Sequence, residues 1–144
     1  MSKITLAQAN EIIVGVFAKA AELGLPPMCA AVVDGGGHMI SMQRQDGVSI
    51  MRGHVCQAKA WSAVAMGINT AAITARYESG TREEGFINAL NAFSGGRVMT
   101  LPGGVLVKDS AGEVCGGVGV SGAAAEDDEI CARAAVEAAG LTPA

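Results

Sequence analysis

The sequence predicts an α+β protein in which helices pack on one antiparallel sheet. Three observations lead there. Short apolar stretches are joined by Gly-rich turns, as in hairpins. Helical stretches cluster instead of alternating with single strands, so no βαβ series forms. The 144 residues suit one domain spanning 1–144, with no repeat, linker or low-complexity segment.

Taken in order, Thr5-Leu6-Ala7-Gln8 is a capping-box pattern, and Leu6, Ala9, Ile13, Val16, Phe17 and Ala20 recur at helical spacing. That helix ends near Gly24, before Pro26-Pro27. Met28 to Val33 is an apolar strand ending at Asp34-Gly35-Gly36-Gly37, where Asp34 caps the turn. His38 to Arg44 alternates as its hairpin partner. A helix follows over 50–68 with Ser49 as N-cap, then a short one to about Tyr77 with Thr70 as its cap. Thr81-Arg82-Glu83-Glu84 is a second capping-box pattern and opens another helix. Strands are predicted over 97–100, 105–108 and 113–121, and a closing helix over 123–139 with an αL cap at Gly140. The order is α-β-β-α-α-α-β-β-β-α.

Composition narrows the function. Half the residues are hydrophobic but only 3% are aromatic, and the net charge is −4. Nucleic-acid binding is disfavoured, since it wants base-stacking aromatics and a cationic surface. No apolar run approaches the ~20 residues that span a bilayer. The first five residues lack the apolar region of a signal peptide, so the expected location is the cytoplasm. Only 17% of residues are charged, so the excess apolar character is read as core plus a homo-oligomer interface. Cys29, Cys56, Cys115 and Cys131 form no C-x-x-C pair and read as buried reduced thiols. No structural metal site is expected.

The chemistry candidates carry alternatives. His54 shares a helix face with Met51 and is either an exposed side chain or a ligand, acid or base. Lys59 either snorkels to solvent or lines a pocket. The acids at 126–129 either favour a helix N-terminus or supply a general base, with Asp127 and Glu129 as candidates. Arg44 could hold a carboxylate and could pair with Asp46. Helix-entrance N–H groups near Ser121 could do the same. Gly103, Gly104, Gly116 and Gly117 are read as places where a bound molecule approaches the backbone.

Taken together, Ala31-Val32-Val33-Asp34 with Gly36-Gly37-His38, Arg44-x-Asp46-Gly47, Lys59-Ala60-Trp61-Ser62-Ala63, Leu101-Pro102-Gly103-Gly104-Val105 and Gly116-Gly117-Val118-Gly119-Val120-Ser121-Gly122 with Asp127-Asp128-Glu129 resemble the GlcG/HbpS family. The resemblance extends to the C-terminal domain of PduO-type cobalamin adenosyltransferases. It runs over nearly the whole chain. Gln45 and Ser62 stand where the family often has Met and Thr. The resemblance implies a profilin-like α/β/α sandwich with a five-stranded antiparallel sheet, assembly into dimers or larger homo-oligomers, and haem binding in some members.

Three functions are therefore expected in turn. The first is binding of haem or a related tetrapyrrole in a pocket at or near a subunit interface, with His54 as the iron ligand and Arg44, Met51, Lys59, Ser121 and the four glycines around it. The second is a cofactor-independent isomerase or lyase on a small hydroxy- or oxo-carboxylate in carbon or aromatic catabolism, using His54, Lys59, Asp127 and Glu129. The third is a non-catalytic oligomeric partner of a catabolic enzyme.

Overall fold

The computed structural model describes residues 3–144. Met1 and Ser2, part of the stretch read above for a leader, lie outside the described residues. The elements are α1 (Leu6–Glu22), β1 (Cys29–Asp34), β2 (Met39–Arg44), α2 (Ile50–Met66), α3 (Thr70–Glu78), α4 (Thr81–Phe93), β3 (Gly104–Lys108), β4 (Val114–Ser121), α5 (Ala125–Ala138) and β5 (Thr142–Pro143). They form one antiparallel sheet in the order β2-β1-β4-β3-β5.

The α1 box is present: Thr5 Oγ1 accepts from the Gln8 amide at 3.1 Å, and the Gln8 side chain accepts from the Thr5 amide at 2.9 Å. The loop after β1 is held by Asp34, whose Oδ1 accepts from the Gly36 and His38 amides, each at 2.9 Å. Gly37 there has φ +81°, a backbone region that glycine enters without strain.

The sheet divides the core in two. One face meets α1 and α5 through Ile12, Ile13 and Val16 of α1, Ala30 and Val32 of β1, Val105 and Val107 of β3, Val118 and Val120 of β4, and Ala132 and Val136 of α5. The other face meets α2, where Cys29, Ala31 and Val33 pack on Cys56 and Ala60. This is the α/β/α layering that the family resemblance implies. Alternation along each strand separates the two sets, as the two-residue period requires.

Glycines govern the second interface. A Cβ on Gly119 would overlap the Cys56 carbonyl oxygen, and one on Gly104 would overlap that of Lys59. At Gly117 it would lie 3.0 Å from the Ala60 carbonyl oxygen. So α2 rests backbone to backbone on a lane of glycines in β3 and β4. Gly116 faces the other way, towards Ile4.

Three local expectations need correction. Residues 97–100 are not a strand, because side chains take their backbone groups. Ser62 Oγ accepts from the Met99 amide at 2.8 Å and donates to the Arg97 carbonyl at 3.2 Å. Asn91 Oδ1 accepts from the Val98 amide at 3.0 Å, and Thr74 Oγ1 donates to the Thr100 carbonyl. The fifth strand is instead the short β5, paired with β3. The box at Thr81 does not form: Gly80 is the N-cap of α4, Thr81 is already helical, and the Glu84 amide donates to the Gly80 carbonyl at 3.0 Å. Thr70 does not cap α3, since Asn69 holds that position and Thr70 Oγ1 accepts from the Gly104 amide at 2.8 Å.

Gly119→Ala should therefore cost about 3 kcal/mol or more, since helix and strand backbones must separate. Gly85→Ala, in α4 with open space around it, should gain about 0.5–1 kcal/mol. Urea denaturation of both variants checks the contrast. Equal effects would contradict the close approach.

Candidate functional site

The two sides of α2 carry different chemistry. Gly53, Cys56, Ala60 and Ala63 recur at helical spacing and are buried against the sheet. His54 follows Gly53 directly and is exposed. Lys59 lies five residues beyond His54, which is about 140° around a helix. The structure does not bring these two side chains into one cavity.

Lys59 is almost wholly buried. Its Nζ donates to the Val120 carbonyl at 2.9 Å and to Asp128 Oδ2 at 3.0 Å. Asp128 is fully buried, and its Oδ1 accepts from the Ala123 amide at 2.9 Å. The pair ties α2 to the end of β4 and the first turn of α5. Burial pushes the Asp128 carboxyl above its usual range, and the Lys59 ammonium opposes that shift. No buried side-chain polar atom lacks a partner among the described residues.

Above the pair lies a cavity of about 350 Å³, lined by Met51, Arg52, Val55, Lys59, Met99, Leu101, Ala123, Ala125 and Asp128. Arg52 Nη1 donates to Ser121 Oγ at 3.3 Å. Arg52, Val55 and Lys59 follow one another at i, i+3 and i+7, one stripe of α2. The sequence reading missed Arg52, although that spacing from Lys59 was the available signal. It also missed Asp128 as the partner of Lys59. Asp128 continues the buried row of Cys131, Ala132 and Ala135 at helical spacing.

Of the expected acids, Asp127 is half-buried and has no ion pair among the described residues. Glu129 faces Arg133 along α5 at 3.6 Å. Neither lines the cavity with Lys59. Gly103 is near Lys59 Nζ, whereas Gly104 and Gly117 meet the backbone of α2. Gly116 meets Val33 and Ile4. What approaches these glycines in the structure is the protein itself.

His54 stands between two open clefts that share it and Gln57 as a wall. One, of about 340 Å³, is lined by Val33, Met39, Ala58, Trp61 and Arg97 among others. The other, of about 370 Å³, is lined by Met42, Arg44, Ile50 and Gly53. Arg97 lies over the Trp61 ring with Cζ 4.0 Å from its centroid, a cation–π contact. Arg44 is exposed and forms no ion pair with Asp46 among the described residues. The exposed His54 imidazole stands in no ion pair or side-chain hydrogen bond among the described residues, so either ring nitrogen, according to tautomer, can present its lone pair. A larger hollow of about 580 Å³ lies between the end of α1 and the Gln45–Asp46 turn. It contains neither His54 nor Lys59.

Lys59→Met should cost about 3–5 kcal/mol at neutral pH, because it leaves the Asp128 carboxylate buried without its counter-ion. Losing Lys59 removes what holds that carboxyl down, so its folded pKa rises further above the unfolded 3.8. The folded variant then binds more protons than the unfolded chain between those values. Its stability should rise as pH falls through that window, and the deficit relative to wild type should narrow towards pH 3.8. Urea titrations of both proteins across that range test this. A deficit independent of pH would contradict it.

Comparisons with known proteins place the chain. A model of the family described as "Haem degrading protein HbpS-like" matches residues 4–137. The uncharacterized 15.0 kDa protein in the dhaT-dhaS intergenic region of Citrobacter freundii is 33% identical over 137 residues, covering 95% of this chain and 92% of that protein. The crystal structure of Klebsiella pneumoniae protein ORFY is similar at TM-score 0.86 and 30% identity, over 97% of this chain and 93% of that one. A crystal structure of a PduOC:heme complex is similar in fold, with TM-score 0.85 and 24% identity over 97% of both chains. With the family model spanning nearly all of its residues, the chain belongs to the HbpS-like family.

Proposed function

We propose that the protein binds haem or a related tetrapyrrole on the His54 face of α2. The observation that carries this is an exposed, unpartnered imidazole between two clefts, each containing one arginine. Imidazole is a common axial ligand of haem iron. Met39 and Met42 offer adaptable apolar surface beside it. Arg44 and Arg97 suit the two propionates, since a guanidinium fork matches a carboxylate. Support also comes from the family, whose description names haem.

The donor set fits the group: a nitrogen ligand for the iron, apolar surface for the ring and cations for the acids. A bound haem would supply an iron centre with redox and ligand-binding chemistry. The chain's own part is to hold the iron through His54, anchor the propionates through the arginines and shield the ring. Both clefts are open to solvent, so shielding calls for a second copy of the chain. Ile50, Met51 and Phe93 are 76%, 66% and 91% exposed, apolar surface of the kind a homo-oligomer covers. We place this pocket at or near that interface, in a cytoplasmic homo-oligomer. No helix among the described residues is long and apolar enough to cross a membrane.

Hemin titrated into the purified protein should give a saturable, shifted Soret band. His54→Ala should weaken binding by about tenfold or more, the loss of one strong ligand interaction. Arg44→Ala and Arg97→Ala should each weaken it several-fold without changing the band position. An unchanged band and affinity in His54→Ala would overturn the assignment.

A further inference from the structure

The cavity above Lys59 and Asp128 is separate from the His54 face. Lys59 and Asp128 already form a mutually satisfied ion pair. Arg52 adds a cation to that neutral pair. Among the described residues it meets no carboxylate, and its one side-chain hydrogen bond goes to Ser121. A guanidinium has five N–H donors, so most of this fork is unused.

The charge in the cavity therefore sums to one positive unit. The rest of the wall is apolar: Met51, Val55, Met99 and Leu101. A space of about 350 Å³ with one cationic fork and an apolar side matches a small molecule with one anionic end and a short hydrocarbon body. The planar fork favours a carboxylate. A second negative charge would face the buried Asp128 carboxylate, with Glu126 and Asp127 on the same helix turn.

We propose that this cavity binds a small monocarboxylate, with Arg52 clamping the carboxylate, Ser121 positioning Arg52, and Met51, Val55 and Leu101 receiving the chain. The site takes the ligand class expected for the second function read from the sequence and shares Lys59 and Ser121 with that reading, but its clamp is Arg52. It does not depend on haem binding. The Lys59–Asp128 pair forms the floor and holds the end of β4 and the start of α5 together, so that the cavity keeps its shape.

The test is isothermal titration of the full-length protein with butanoate and 2-oxobutanoate at neutral pH, with butanamide as the neutral control and succinate as the dianion. Both monocarboxylates should bind saturably at millimolar level or tighter. Butanamide and succinate should bind at least about tenfold more weakly, as loss of a charge-assisted fork or a second buried charge requires. Arg52→Met should weaken butanoate by about tenfold or more, Arg52→Lys should retain part of the affinity, and Ser121→Ala should lose several-fold. Arg52→Met should bind hemin as wild type does, which separates failure here from failure of the haem reading. Arg52 is only half-buried, and an unchanged melting temperature without ligand confirms that its variants fold. No saturable binding of either acid, equal binding of butanamide, or an Arg52→Met protein that binds butanoate unchanged would overturn the proposal.

Discussion

The backbone of α2 lies directly on a lane of glycines, and the rest of the molecule is arranged around that contact. Gly104, Gly117 and Gly119 remove the side chains that would hold helix and sheet apart. The carbonyls of Lys59, Ala60 and Cys56 occupy that space instead. A helix seated so closely cannot turn about its axis without driving larger residues into the strands. Its rotation is therefore set, and with it the destination of every side chain it carries. A core with backbones this near has no room for large rings on that face, where the buried residues are Cys29, Ala31, Val33, Cys56 and Ala60.

That rotation divides the chemistry. Lys59 is directed past Gly103 to the end of β4, where the Val120 carbonyl and Asp128 receive its three-donor ammonium. His54, about 140° away, is directed to solvent. Such a buried pair is weak evidence for stability, since desolvating two charges offsets most of their attraction. Its structural role is registration. It holds the first turn of α5 against α2 at one sheet end, and it sets the floor of the cavity that Arg52 overlooks.

Much of the fold was legible in the sequence. The capping box at Thr5, the Asp34 turn, the breaks around the middle helices and the hairpins all follow from local rules that the tertiary structure leaves intact. The sheet's fifth strand was not legible. Arg97 to Thr100 has strand-like composition, but the hydroxyls and amide of Ser62, Thr74 and Asn91 compete for its backbone groups, and those residues are distant in sequence. Thr142–Pro143 is too short to carry a periodic signal.

The site was legible in residue type more than in arrangement. Lys59 was read as either solvent-facing or pocket-lining, and the partner that buries it, Asp128, lies between the two acids that were named. Counting helical positions would have separated His54 from Lys59 and joined Lys59 to Arg52. The meaning of the glycines needed the structure, because close approach by a ligand and close approach by a helix leave the same mark on a sequence. The most direct measurement is an iron-edge anomalous-difference map from hemin-loaded crystals. The account predicts a peak at coordinating distance from a His54 ring nitrogen, on the outer side of α2. A peak in the cavity beside Lys59, or one remote from His54, would contradict it.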